Sequence, residues 1–329
     1  MSLTERPSDE FISLLKKSGD SDQNVAYAAQ REFAKALELP LRKGVLVGNI
    51  LGDIFETINV EPGASTEYPL DLISPGLEGE HVAYTNPGHG RVPERAVESD
   101  YVMIPTYSIT SSIDYLLRYA REARWDIVGR AMQVLEAGFV KKMNDDGWHT
   151  ILAAGVDRNI LVYDGDATAG MFSKRLVSLM QTVMRRNAGG NTGSANRGRL
   201  TDLYVSPEGL DQIDEVTRRE IYTASEGGAP ITRIFGVNLH DLDELGEGQE
   251  YQTFFSDASG LGGSVQAADL ELVVGIDQAA NDSFIMPMKQ NVEIFEDPAL
   301  HRQQRAGYYG FAELGFGVLD NRRVILGSF

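Results

Sequence analysis

The chain has 329 residues, 42% of them hydrophobic and 24% charged. This is ordinary globular composition at a length that buries about three quarters of the surface an unfolded chain exposes, which excludes a mainly disordered or fibrous protein. Cysteine is absent, so disulfides, thiolate catalysis and Cys-based metal sites are excluded. The 48 acidic against 30 basic residues, net -18, oppose a direct grip on a phosphate backbone. No apolar run reaches the roughly 18 residues of a membrane span, and the first ten residues have no apolar stretch behind them, so neither a membrane segment nor a standard secretory signal is expected.

In chain order, Ser8 reads as a cap for a short helix carrying Phe11, Leu14 and Leu15, and a second helical pattern covers Ala26 to Leu37. From Pro40 to Val60 the chain turns apolar, with Val45, Val47, Ile50, Leu51 and Phe55, in a run whose period fits a helix or a strand. Residues 61–104 are punctuated by Glu61-Pro62-Gly63, Ser74-Pro75-Gly76, Asn86-Pro87-Gly88 and Val92-Pro93, with strand-like legs at Glu67 to Ile73 and Asp100 to Pro105. Excursions of this length usually serve function or partner contact.

Ser111 to Asp114 matches a capping box and predicts a long helix to about Asn144, with Asp145-Asp146-Gly147 as its stop or kink. Beyond Val156, shorter pieces alternate. A helix is expected near Met171 to Arg186, a strand at Thr201 to Val205 and a helix begun by Ser206-Pro207-Glu208. Further strands are expected at Thr232 to Leu239, Leu270 to Ile276, Asn291 to Phe295 and Tyr308 to Leu319.

No local motif points to catalysis. The Gly-rich run Gly189 to Gly198 lacks a P-loop ending and follows a helix, so it reads as a loop. Asp164 to Gly170 has calcium-loop flavour, but its glycine is one position late and Arg175 stands where a bidentate Glu belongs, so it reads as a helix-capping turn. His240 to Glu250 gathers Asp241, Asp243, Glu244, Glu247 and Glu250, which suits a solvated acidic loop better than a metal or acid/base site. The five histidines are scattered, without metal-ligand spacing.

The order of elements is more informative than any motif. Tyr101-Val102-Met103-Ile104-Pro105-Thr106-Tyr107 leads into the long helix, Leu203-Tyr204-Val205-Ser206-Pro207-Glu208 opens the α/β part, and Gly310-Phe311-Ala312-Glu313-Leu314-Gly315-Phe316-Gly317-Val318-Leu319-Asp320 returns the chain. In this layout the sequence resembles the major capsid proteins of tailed phages, the Hong Kong 97 type. The resemblance implies an α+β fold with an N-terminal arm over 1–60, an extended β loop over 61–104, a peripheral domain with a spine helix over 105–160 and 276–329, and an axial α/β domain over 161–275.

It also implies a structural subunit, not an enzyme and without cofactors, that assembles with itself into hexamers and pentamers of an icosahedral shell. Such a shell encloses the phage genome without sequence-specific DNA binding and without a membrane. It is found in the virion and is built in the host cytoplasm, and a separate scaffold protein, a portal and decoration proteins are candidate partners. Subunit contacts are expected at Pro75, Glu78, Arg91 and Arg95 of the extended loop and at Arg121, Arg124 and Arg130 of the helix. Some members of this family cross-link through a loop lysine, but residues 61–104 contain none, so a noncovalent shell is expected. The alternatives are an encapsulin-type nanocompartment shell and a soluble α/β enzyme with an acidic site near 240–250.

Overall fold

A computed structural model describes residues 8–48, 50–61, 63–69, 101–167, 170–187, 198–220, 233–259, 271–279 and 283–329. The chain divides into two compact units. The first comprises Met1–Thr66, Met103–Gly147 and Ile285–Gly317, and the second Glu67–Val102, Trp148–Phe284 and Val318–Phe329.

In the first unit, α1 (Asp9–Ser18) starts at Ser8, whose hydroxyl accepts from the Phe11 N–H, with Asp9 and Glu10 in its first turn and Lys16 and Lys17 in its last. That charge order complements the helix dipole. After a turn closed by Asp22, α2 (Gln23–Gly48) runs straight through Pro40. The ambiguous apolar run thus begins as helix, because Phe33, Leu37, Leu41 and Val45, four residues apart, form one buried stripe that continues past the proline. A 3-10 turn, Ile50–Asp53, follows, and then β1 (Glu56–Asn59). Strands β2 (Glu67–Pro69) and β3 (Tyr101–Met103), which apart from Met103 are assigned to the second unit, form a two-stranded sheet.

The expected helix start is overturned next. Tyr107–Leu116 is a strand, β4, and only then come a short α3 (Leu117–Arg121) and the long α4 (Trp125–Asp157). The Ser111 to Asp114 pattern has local capping chemistry, but all ten residues of β4 are paired antiparallel with β11 (Arg305–Leu314). Tyr107, Ile109, Ile113 and Tyr115 alternate with Ser108, Thr110, Ser112 and Asp114, so the strand period outweighs the cap. The 33 residues of α4 span about 50 Å.

Nor does α4 stop at Asp145-Asp146-Gly147. The Asp146 carboxylate accepts from the Tyr107 hydroxyl at 2.8 Å and from Lys142 at 2.7 Å. Gly147 lies so close to Leu51 that an added Cβ would stand 2.0 Å from its Cδ1. Asp146 and Gly147 of the expected stop thus have tertiary contacts that favour the helix.

The first sheet has the order β1-β10-β11-β4, where β10 is Phe284–Glu296, and the short β12 (Gly317–Val318) also pairs with β10. One of its faces packs on α2 and α4. Val128, Met132, Leu135, Phe139 and Met143 make the buried stripe of α4 in this unit. Gly310 of β11 meets Phe139 so closely that a Cβ would lie 2.9 Å from the ring, and Phe33 of α2 packs on Tyr308 with centroids 5.7 Å apart. The Arg42 guanidinium ties α2 to β10 by donating to the Val292 carbonyl at 2.8 Å.

The second unit is built on a six-stranded sheet, β5-β13-β9-β6-β8-β7. Its strands are β5 (Leu161–Tyr163), β6 (Asp202–Val205), β7 (Arg233–Ile234), β8 (Val237–Asp241), β9 (Leu272–Ile276) and β13 (Val324–Ser328). Around it lie α5 (Lys174–Asn187), α6 (Pro207–Glu220) and α7 (Glu250–Ser259). Leu176, Val177, Met180 and Met184 of α5 join Leu203, Val205, Val273 and Ile325 in one core. Ser206 caps α6, its hydroxyl accepting from the Gly209 N–H at 3.0 Å, as the Ser-Pro-Glu start predicts. The expected strand over Thr232 to Leu239 is a hairpin, β7–β8, turned at Phe235 and Gly236, both at positive φ.

Phe139 is fully buried under Gly310, so Phe139→Ala is expected to cost about 3–5 kcal/mol and Gly310→Ala about 1–3 kcal/mol by overpacking. Chemical denaturation of the two variants checks both values.

Candidate assembly surfaces

The strands of the first sheet alternate sides, so what its helix-free face carries follows from the register. On β11, Tyr308, Gly310, Ala312 and Leu314 are buried, while Tyr309 is 42% exposed. Phe295 of β10 is opposite Tyr309 and stacks on both Tyr309 and Phe311, with centroids 5.6 and 5.7 Å apart. An aromatic row therefore lies on this face. Four of its charges form two pairs, Arg305 with Asp114 at 2.7 Å and Lys289 with Glu313 at 3.5 Å, and Glu293, opposite Phe311, adds a carboxylate. In a chain of net charge -18, such an aromatic face, low in net charge, is a place where a like-charged surface can approach. Sequence reading missed this row, although the signal was there in the alternate residues of Tyr308 to Leu314.

The expected contact residues fare differently. Pro75, Glu78, Arg91 and Arg95 lie outside the described residues. Arg121, at the end of α3, donates through Nε to the Gly19 carbonyl and so closes the C-terminus of α1 within the chain. Arg124 forks onto Asp126 at 2.9 and 3.1 Å at the start of α4, which raises its own pKa and holds Asp126 below the usual carboxylate range. Arg130 is exposed on α4. Arg121 and Arg124 flank one break, where Ala123 sits at φ 53°, and Arg130 lies farther along the helix.

The most exposed of the other large apolar side chains described in the first unit are Met103 of β3 at 66%, Leu39 of α2 at 63% and Val134 of α4 at 61%. No described helix is long and apolar enough to cross a membrane.

In the second unit, the singled-out acidic run is not one structure. His240 and Asp241 belong to β8, Glu250 begins α7, and Asp241, Asp243 and Glu247 are exposed between and beside them. His240 faces Asp202 of β6, with Nε2 to Oδ1 at 2.8 Å, and stacks on Tyr204 with centroids 4.8 Å apart. Asn238 donates to the same carboxylate at 2.9 Å. Burial pushes the Asp202 carboxyl up, but hydrogen bonds from Thr201, Asn238 and His240 outweigh it and hold the group below its ordinary range. The calcium-like turn is an internal ion pair: Arg175 reaches Asp164 and Asp166, and Ser173 donates to Asp164. Residues 188–197, which hold most of the Gly-rich run, lie outside the described residues.

No protein-family model matches the chain, and no curated protein matches its sequence. Solved structures do match. The capsid of an empty GTA particle is similar over 86% of this chain and 90% of that chain, at 12% identity and a TM-score of 0.57. The cyanophage Pam1 capsid is similar over 84% and 88%, at 14% identity and 0.54. The head of Helicobacter pylori bacteriophage KHP40 is similar over 86% and 90%, at 9% identity and 0.53. The chain therefore has the α+β fold of tailed-phage capsid proteins, the Hong Kong 97 type, as the sequence resemblance implied.

Because the Asp202 carboxyl is held low in the folded state, its contribution to stability is present above the ordinary carboxylate pKa of about 4 and is lost as pH falls through the lower folded value. Asp202→Asn is expected to lower the melting temperature at pH 7 and to flatten its decline below about pH 4, read by thermal melts across that range.

Proposed function

We propose that this chain is the major capsid protein of a tailed phage, a structural subunit that assembles with itself into the hexamers and pentamers of an icosahedral shell around DNA. The observation that carries this reading is the likeness, over most of both chains, to capsids and heads of phage and GTA particles. The surface supports it. A stacked aromatic row on one sheet face and exposed Leu39, Met103 and Val134 are features that a shell subunit covers with neighbours. On this reading the protein works without catalytic turnover, in the virion after assembly in the host cytoplasm. A separate scaffold protein, a portal and decoration proteins remain candidate partners. Arg124, exposed just before α4, and Arg130, exposed on it, together with Pro75, Glu78, Arg91 and Arg95 of the loop, are its proposed contact residues, and Arg121 supports them through α1. The proposed division is an arm over 1–60, an extended loop over 61–104, a peripheral domain with the spine helix, and an axial domain over 161–275.

Sedimentation velocity of the purified chain, with negative-stain images and with its scaffold supplied where one exists, tests the reading. Capsomers or closed shells are expected, and a monomer under both conditions contradicts it. Shells filled with protein cargo instead of DNA would assign the encapsulin alternative. Mature particles should run as single chains on denaturing gels, because residues 61–104 hold no lysine for a cross-link, and a ladder of covalent multimers contradicts that.

A further inference from the structure

The second unit is electrically polar along its own sheet. Strands β5, β13, β6 and β8 all run one way, and β9 runs against them, so the sheet has two distinct ends. At the end where those four strands begin, arginines converge from separate segments: Arg185 and Arg186 from the last turn of α5, Arg199 before β6, and Arg233 beside the β7–β8 turn. Arg322 and Arg323, from the 3-10 turn before β13, are already neutralised by Asp320 and Asp277 at 2.6 and 2.7 Å. Arg185, Arg186 and Arg199 are exposed and have no acidic partner among the described residues. At the opposite end, where the four strands finish, Glu208, Asp241, Asp243 and Glu247 are exposed, while Lys174 and Arg175 begin α5 there, with Arg175 paired to Asp164 and Asp166. The sequence carries the same asymmetry. There is no acidic residue from Leu176 to Thr201, the stretch that carries Arg185, Arg186 and Arg199, and no lysine or arginine from His240 to Glu250.

Each end also holds large apolar side chains in water. Phe235 is 59% exposed at the arginine end, and Tyr163 and Met171 are 60% and 53% exposed at the carboxylate end. Phe235 sits at φ 50°, a left-handed conformation that a bulky side chain rarely adopts. An apolar anchor within a charged rim is the anatomy of a protein interface. The two ends are different patches of opposite sign, so a contact joining them is head-to-tail, and repeating it closes a ring. In a chain of net charge -18, copies meet at least electrostatic cost where one offers its excess of arginine.

We propose that the arginine end of one subunit, with Phe235 at its centre, seats on the carboxylate end of the next copy, beside Tyr163 and Met171, and that this contact closes the capsomer ring. The proposal rests on the shell reading and adds to it the faces that meet and the polarity of their contact.

Charge exchange between the ends tests it. Chains carrying Arg185→Glu with Arg186→Glu, or Asp241→Lys with Asp243→Lys, are each expected to lose capsomers while keeping the wild-type circular dichroism spectrum. Arg185→Gln with Arg186→Gln, which does not oppose the dipole of α5, is expected to weaken association about tenfold. Mixing the two reversed chains restores opposite charge at every contact only when they alternate, so hexamers should return and pentamers should not. A chain carrying all four reversals should form both. Wild-type assembly by each reversed chain, or a mixture that stays unassembled, overturns the proposal while leaving the shell reading intact, whereas a wild-type chain that never assembles overturns the shell reading instead. Reversed chains that assemble normally but lose salt-sensitive binding of random-sequence duplex DNA would assign the arginine end to nucleic acid and likewise overturn the contact.

Discussion

Ten consecutive residues of β4 pair with ten of β11 without a bulge, and the rest of the first unit is arranged around this ladder. Its pleat sends Tyr308, Gly310, Ala312 and Leu314 to one side, where Phe139 of α4 and Phe33 of α2 lie against Gly310 and Tyr308. A one-residue slip would turn that apolar set to solvent and bring Tyr309 and Phe311 inside. The glycine is part of the fit, since nothing larger allows the Phe139 ring so near the strand. The N-terminal helices join the same core: Phe11 meets Phe33 at 4.8 Å and Trp125 at 5.3 Å, and Arg121 fastens the end of α1.

The ladder also limits what the subunit leaves for contact. With one sheet face committed to helices, the other keeps an aromatic row flanked by two ion pairs, the apolar-centre and polar-rim pattern of a contact surface. The second unit manages its charge by separation, with arginines at one end of the sheet and carboxylates at the other. Both arrangements serve an acidic protein that is proposed to meet copies of itself. Strong net charge keeps such a chain soluble before assembly, and local neutrality or complementarity permits the encounter.

Much of this was legible in the sequence because local and tertiary signals agreed. Ser8 and Ser206 start helices where their side chains can cap them, the strand candidates Thr201 to Val205 and Leu270 to Ile276 contain β6 and β9, and the candidate Asn291 to Phe295 falls within β10. The reading failed where local chemistry and distant packing disagreed. Ser111 to Asp114 looks like a helix start, but β11, nearly two hundred residues away, claims it as strand. Asp145-Asp146-Gly147 looks like a stop, yet Tyr107 and Leu51 hold the helix there. The candidate contacts were the least legible part, because an exposed arginine gives no local sign of its neighbour. Arg121 turned inward to the Gly19 carbonyl, and the arginine end of the second unit is assembled from segments that only the sheet order brings together.

The most direct test of the account is hydrogen exchange followed on the same chain before and after assembly. An intrinsic ladder with contact surfaces completed by other copies predicts that the amides of β11 exchange slowly in both states, while those of the β7–β8 turn around Phe235 and the segment from Asp241 to Gln249 slow markedly only on assembly. Fast exchange of β11 in the free subunit, or no change at those two segments on assembly, would contradict it.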